Sequence, residues 1–342
     1  MMTTKDLMTP DLVTTELSPL NEVRAVADRL RNRLRQDVIG RDDIIELVLI
    51  SLFADGHVLL EDYPGSGKTT LAKALGRAFV DEPTDGNGIA TFRRVQFTPD
   101  LLPSDITGVT LFEPATNTFS FRRGPVFASI LLVDEINRTS PKVQSALLEA
   151  MAEKQVTVDN VSHRLDDLFF VMATQNPLDS VGTYPLPLAQ LDRFLFKLTM
   201  KHIDRASELR VLETWALPRE TAELPQVRRM EILAGRALLR SQVAVSPAVR
   251  MCLVDIATAL RDPARTRQGV STRSLVQAVP ALQARALFEG RDFVSSEDLE
   301  ALAFPLFAHR MELRPGVQAE ALVKDALRGP IEKLSRSTLE PA

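Results

Sequence analysis

Five side chains in this sequence have the types and spacing to handle a polyphosphate: Lys68, Thr69, Asp134, Glu135 and Asn176. Lys68 and Thr69 follow Pro64, Gly65, Ser66 and Gly67, and Thr70 continues into an apolar helical pattern with Leu71, Ala74 and Leu75 on one face. Glycines there let backbone N–H groups approach an anion closely, and the helix N-terminus adds a dipole that favours negative charge. In that frame Lys68 reaches the β- and γ-phosphates of a nucleotide and the Thr69 hydroxyl holds Mg²⁺. The match to G-x-x-x-x-G-K-[ST] is incomplete, because Asp62 stands at the first glycine. Taken alone, the stretch also fits a glycine turn before a surface lysine.

Asp134 and Glu135 end the apolar run Ser129–Val133. Such a run reads as a parallel strand covered on both faces, and its carboxyl end opens into the crevice where ligands bind. There Asp134 holds Mg²⁺, directly or through water, and Glu135 polarises an attacking water. The bland alternative is a strand ending in an acidic turn; a phosphate loop roughly 65 residues upstream weighs against it. Asn176 follows the apolar run Phe169–Ala173. It is either a turn residue before Pro177 or an amide aimed at the water or the γ-phosphate. Arg193 is a surface ion-pair residue or a charge supplied to a neighbour's phosphate. Arg273, at the first turn of a helix, is a solvated arginine or an arm reaching to the γ-phosphate. Val38, Ile39 and Gly40 form a turn that walls an adenine pocket or simply starts a helix.

The elements that must position these groups alternate strand and helix. Strands are expected at Val58–Leu60, 93–97, 129–133, 169–173 and 194–198. Two hairpins interrupt them, at Val109–Phe112 with Thr118–Phe121, and at Gln155–Val158 with Val161–Leu165. Phe112, Phe119 and Phe121 read as core, with an exposed contact set as the alternative. An arginine-rich helix spans 19–36; its arginines make a solvated face, with a subunit contact as the sharper reading. After about Met200 the strand pattern stops. Helices follow at 228–241, 247–261, 272–289 and 296–303, the third containing Pro280, which should kink it. The fold expected is an α/β core with a central parallel sheet in three αβα layers, plus a C-terminal all-α lid. The domains are a mobile N-terminal segment 1–18, a nucleotide-binding domain 19–200, a linker 201–226 that houses Trp215, and a helical lid domain 227–342.

The 342 residues exceed one average domain, and 45% apolar composition supports a sizeable core. The net charge of −4 supplies no general attraction to nucleic acid or to an anionic membrane. The single Cys252 lies in an apolar helical pattern and reads as core rather than nucleophile; it suits a reducing compartment. No apolar run reaches the roughly 20 residues of a spanning helix, and the N-terminus lacks an apolar leader region. A soluble cytoplasmic protein is the expectation.

Together these motifs resemble the MoxR family of AAA+ ATPases, from about Val38 to about Met311. The resemblance is most specific in Gln96–Gly108, in Asp134–Arg138 with Gln144–Ala150, and in 173–177 followed by Gly182-Thr-Tyr-Pro-Leu-Pro and Gln190–Phe194. It implies a Walker A loop at 65–70, a Walker B pair at Asp134 and Glu135, sensor 1 at Asn176, an arginine finger at Arg193 acting across a subunit boundary, and sensor 2 at Arg273. The hairpins would match the helix-2 and presensor-1 inserts, which project toward the centre of a ring and shift Phe112 and Phe119 toward contact. ATP and Mg²⁺ would be the cofactors. The partners would be copies of the chain in a hexameric ring and client proteins, expected to carry a von Willebrand factor A domain. The function implied is ATP hydrolysis driving remodelling or maturation of clients, metal insertion included. The alternatives are a nucleotide-gated scaffold with negligible turnover, a chelatase motor subunit, and a DNA-remodelling motor. Leu188 departs from the family's usual glutamate, as Asp62 does from its glycine.

Overall fold

The computed structural model describes residues 18–61, 66–80, 89–176, 182–214 and 226–337. The readings placed on residues 1–17, Asp62, Pro64, Gly65, Pro177 and Trp215 lie outside the described residues. The chain opens with α1 (Pro19–Asp37), whose N-cap Ser18 accepts the backbone N–H of Asn21. Next come α2 (Asp42–Phe53), β1 (Val58–Glu61), α3 (Lys68–Arg77), β2 (Ala90–Gln96) and α4 (Pro103–Thr107). The first hairpin is β3 (Gly108–Glu113) with β4 (Thr118–Arg123), then β5 (Ala128–Asp134) and α5 (Pro141–Glu153). The second hairpin is β6 (Gln155–Val158) with β7 (Val161–Arg164), then β8 (Phe170–Gln175), α6 (Leu188–Leu191) and β9 (Phe196–Thr199). The remainder is α7 (Arg205–Thr214), α8 (Arg229–Gln242), α9 (Pro247–Ala259), β10 (Thr266–Gln268), α10 (Thr272–Phe288), α11 (Ser296–Phe307), β11 (Glu312–Leu313) and α12 (Ala319–Ser337).

Five parallel strands pair in the order β2-β5-β8-β1-β9. Alternate side chains of a strand point to opposite faces, and both faces are covered. Ile130, Leu132, Phe170 and Met172 join the cluster holding α1, α2, α3 and the C-terminal helices. Leu131, Val133, Val171 and Ala173 join the cluster with Phe97, Ile106, Val143 and Leu147 from the β2–α4 segment and α5. A buried β5 side chain of this kind contributes about 1.5–3 kcal/mol by leaving water, so the strand that carries the two acids at its end is rigidly held.

The C-terminal region is helical, with one short ribbon of β10 against β11. Pro280 lies inside α10 without ending it. The sequence reading offered no helix at α12; Leu322, Val323, Ala326 and Leu334 bury one face of a helix that continues through Gly329-Pro330. The arginines of α1 are not simply solvated. Arg29 pairs with Glu231, Arg35 with Asp42, and Arg31 with Glu46 while lying over the Phe288 ring. Helix α8 is fastened to the core: buried Arg236 donates to Leu52 O at 3.0 Å, to Asp55 at 2.5 Å and to Asp167 O at 3.1 Å, and Arg229 pairs with buried Asp166 at 2.7 Å. Cys252 is buried, and desolvation pushes its thiol up to about 11, so it behaves as core.

Two buried histidines tie loops to the sheet. His57 Nδ1 accepts the Val171 N–H at 3.1 Å, so Nε2 must carry the proton that faces Met151 O. His309 Nε2 lies 3.1 Å from Phe194 O. Burial lowers His57 to about 4, with Lys154 and Arg236 adding to the effect against Asp55. Burial and then Arg310 lower His309 to about 3. An unfolded chain takes up these protons near pH 6.5 and the folded chain does not, so stability is complete above that pH and falls below it. By about pH 5 each histidine should cost about 2 kcal/mol. Urea unfolding at pH 7 and 5 is expected to show the loss, and His57→Gln or His309→Gln to remove roughly half of it. A stability that does not change over this range would refute neutral burial of both rings.

Candidate functional site

Gly67 begins the site. Its φ of +95° is left-handed, it caps α3, and nothing lies within 4 Å of the place a Cβ would take. Only glycine adopts that conformation without cost, and it aims the first N–H groups of α3 outward. Lys68, Thr69 and Thr70 form that first turn. Beside it, buried Arg41 points its guanidinium at Ser66 O, 3.5 Å away. Arg41 Nε and Ser66 Oγ are both buried without a hydrogen-bond partner among the described residues. Buried orphan donors are costly, and these two fit an anionic ligand over the loop. Arg41 had no role in the sequence reading beyond its place in a turn.

The turn Val38, Ile39, Gly40 stands against the same loop through Arg41. Gly40 has φ +70°, and a Cβ there would meet Ser207 Oγ at 2.5 Å, so α7 packs directly on the turn.

Across the sheet edge, Asp134 is buried at the end of β5 and Glu135 follows with φ 59° and ψ 52°. A glutamate in left-handed backbone costs on the order of 1–2 kcal/mol, a strain that marks functional positions. Four neighbours hold the pair. Thr174 of β8 accepts the Glu135 N–H at 3.0 Å and faces Asp134 Oδ1 at 3.4 Å. Gln96 of β2 donates to Glu135 Oε2 at 2.6 Å, where Arg138 also lies at 3.2 Å. Arg94 of β2 donates to Asp134 Oδ2 at 2.6 Å. The sequence reading quoted Gln96 within a motif but gave Arg94, Gln96 and Thr174 no role. The only signal was two polar residues at i and i+2 on one strand, and nothing local said which strand lay beside it. Asn176 follows β8 at the same carboxyl edge. The Gly182–Pro187 loop is pinned there by Gln144, whose amide reaches the carbonyls of Ile136, Thr139 and Tyr184.

The segments that carry the two distant arginines are joined to each other. Arg193 donates to Leu148 O in the second half of α5 and shares a polar cleft with Ser145, Glu149, Glu153 and Gln190. Among the described residues, none of its cleft neighbours comes from the first turn of α3 or from the ends of β5 and β8. The adjacent Asp192 accepts both Ser271 Oγ at 2.8 Å and Ser274 Oγ at 2.9 Å, at the N-terminus of α10. A carboxylate is favoured at a helix N-terminus. Exposed Arg273 lies between those serines on the first turn of α10. Buried Arg310 completes the joint, donating to Phe194 O at 2.7 Å and to Gln277 at 2.7 Å.

The hairpins stand clear of this site. Phe112 and Phe119 are not core: they are 49% and 75% exposed, with their rings 5.2 Å apart. Two-stranded hairpins bury only what they pack against, and these tips stay exposed. Phe121, at the root, meets buried Phe127 and stacks on His163 of the second hairpin at 3.8 Å.

Residues 57–196 match the family described as ATPases associated with various cellular activities, and residues 258–327 match its lid domain. The chain is 36% identical over 294 residues to Chaperone MoxR1 of Mycobacterium tuberculosis, covering 82% of this chain and 74% of that one. It is 33% identical over 315 residues to Protein MoxR of Paracoccus denitrificans, covering 84% and 89%. The chain belongs to the MoxR family of AAA+ ATPases. YeaC of Bacillus subtilis is 44% identical over 306 residues, covering 86% of this chain and 92% of that one. A crystal structure from Cytophaga hutchinsonii superposes with a TM-score of 0.81 at 33% identity, covering 91% of this chain and 96% of that one. The family implies nucleotide binding. Among the described residues no helix is long and apolar enough to cross a membrane.

Proposed function

We propose that this MoxR-family chain hydrolyses ATP in a ring of copies, most simply a hexamer, and uses the cycle to remodel or mature protein clients. The observation that carries the reading is the separation of the two halves of the chemistry. Lys68, Thr69, Asp134, Glu135 and Asn176 gather at one sheet edge, while Arg193 meets the second half of α5 at Leu148 and its neighbour Asp192 fastens the α10 turn that carries Arg273. Each interface between copies would then bring one half to the other. In this reading Arg273 travels with Arg193 to a neighbour's phosphates and does not reach the site of its own chain.

The residue roles follow from position. Pro64, Gly65, Ser66 and Gly67 wrap the phosphates, Lys68 neutralises the β- and γ-oxygens, and Val38, Ile39 and Gly40 face the base. Thr69 and Asp134 would hold Mg²⁺, which would supply neutralising charge to the phosphates. One carboxylate and one hydroxyl suit a hard cation that keeps phosphate and water as its other ligands. Among the described residues no group of three His, Cys, Asp or Glu side chains is placed to hold a metal. Glu135 takes up the attacking water's proton, Asn176 orients that water, and Arg193 stabilises charge on the transferred phosphoryl group. Phosphoryl transfer needs little beyond such positioning.

The exposed aromatic tip of the first hairpin supports contact with a client, and the name of MoxR1 as a chaperone supports remodelling. A client with a von Willebrand factor A domain and a cytoplasmic setting complete the reading. The proposed division is a nucleotide-binding domain 19–200, a linker 201–226 and a helical lid domain 227–342, whose first helix α8 is fastened to the core through Arg229 and Arg236. ATP turnover per chain should rise steeply with protein concentration and plateau once assembly saturates. Turnover independent of concentration in a protein that remains monomeric would refute the shared site, and a saturated assembly without turnover would favour the scaffold.

A further inference from the structure

Strand β2 grips both acids of β5 from one face. Arg94 and Gln96 are two residues apart, so they point the same way, and the register places Gln96 opposite Asp134. Gln96 holds Glu135, and Arg94 holds Asp134. The second contact is the unusual one. Asp134 is the residue with the geometry to take a divalent cation, and its carboxylate already carries a guanidinium. The Arg94 Nε bond to Oδ2 is 2.6 Å, in the range of strong charge-assisted hydrogen bonds. The Thr174 contact to Oδ1, at 3.4 Å, is a weak one. The Asp134 side chain is 9% exposed and that of Arg94 is 44% exposed, so the carboxylate needs a counter-charge while the guanidinium has water to move into.

We propose that Arg94 is a built-in rival of the divalent cation for Asp134, and that metal loading requires Arg94 to leave that carboxylate. The inference rests on the nucleotide-site reading given above. A singly charged guanidinium and a doubly charged ion a few ångströms apart repel strongly, and Oδ2 cannot serve both at full strength. A nearly buried carboxylate without its partner is poorly solvated and takes the next cation more tightly. Because β2 runs through Phe97 into α4 and the first hairpin, movement of that insert has a direct route to Arg94 and so to the affinity for metal.

The test is Mn²⁺ binding, read by electron paramagnetic resonance in the presence of saturating ADP, with ADP binding measured separately in EDTA. Arg94→Gln removes the charge and should tighten Mn²⁺ about tenfold, the size expected for freeing a buried ion-pair partner. Arg94→Lys keeps the charge and should stay close to the unaltered protein, which also guards against a folding defect in the first variant. On an Asp134→Asn background the Arg94→Gln effect should vanish. Unchanged or weaker Mn²⁺ binding in Arg94→Gln, with ADP still bound, overturns the rivalry. Failure of the unaltered protein to bind ADP at all overturns the nucleotide reading and this inference with it.

Discussion

Glu135→Gln is expected to bind ATP with little change and to lose steady-state hydrolysis by about two to four orders of magnitude, the range for removing a general base. The glutamine is isosteric and can still accept from Gln96 through its carbonyl oxygen, so the backbone and the loop have no reason to move. What it lacks is the basicity to take a proton. The left-handed backbone at Glu135 is kept by Thr174 and Gln96, and strain of that kind persists only where surroundings over-determine it. Nucleotide binding by calorimetry and turnover by phosphate release separate the two properties. Normal turnover in Glu135→Gln would sink the role given to Glu135.

The second large effect concerns Arg193. Arg193→Ala is expected to lower turnover by about 10³-fold or more, the magnitude associated with an arginine supplied to a phosphoryl transfer site. The more telling result is complementation. Lys68→Ala spoils the chain's own phosphate site and leaves Arg193 intact; Arg193→Ala does the reverse. Each should be inactive alone, and a mixture that has exchanged subunits should regain activity at interfaces pairing an intact site with an intact arginine. Arg273→Ala should behave as Arg193→Ala does, because Ser271 and Ser274 fasten its helix to Asp192. Subunit exchange monitored by fluorescence transfer, with no recovery of activity, would refute the trans arrangement. Recovery by Arg193→Ala but not by Arg273→Ala would return Arg273 to its own chain's nucleotide.

Much of the site was legible in the residues because its key parts are contiguous. A glycine turn before Lys68 and Thr69 carries its geometry locally, since Gly67's left-handed φ and the start of α3 arise within a few residues. The two acids announce themselves because a strand buried on both faces must be apolar throughout and must end where polar residues begin, at Asp134. The same local logic placed the strands, the hairpins and most of the helices. It failed where a local signal competes with burial, as at Gly329-Pro330 in α12, and where an aromatic reads as core by type, as at Phe112 and Phe119.

What only the tertiary structure decided is which groups meet. Arg94 and Gln96 reach Asp134 and Glu135 because β2 pairs with β5, about 40 residues away along the chain. Thr174 reaches both acids because β8 is the neighbour on the other side. Asp192 meets Ser271 and Ser274 from about 80 residues off, and that joint docks the helix end carrying Arg273 on the segment carrying Arg193. Residue type and spacing specify the chemistry a side chain can do and the element that carries it. They do not specify the order of strands or the docking of a helix end, which are settled by the shared burial of two apolar faces across the whole chain.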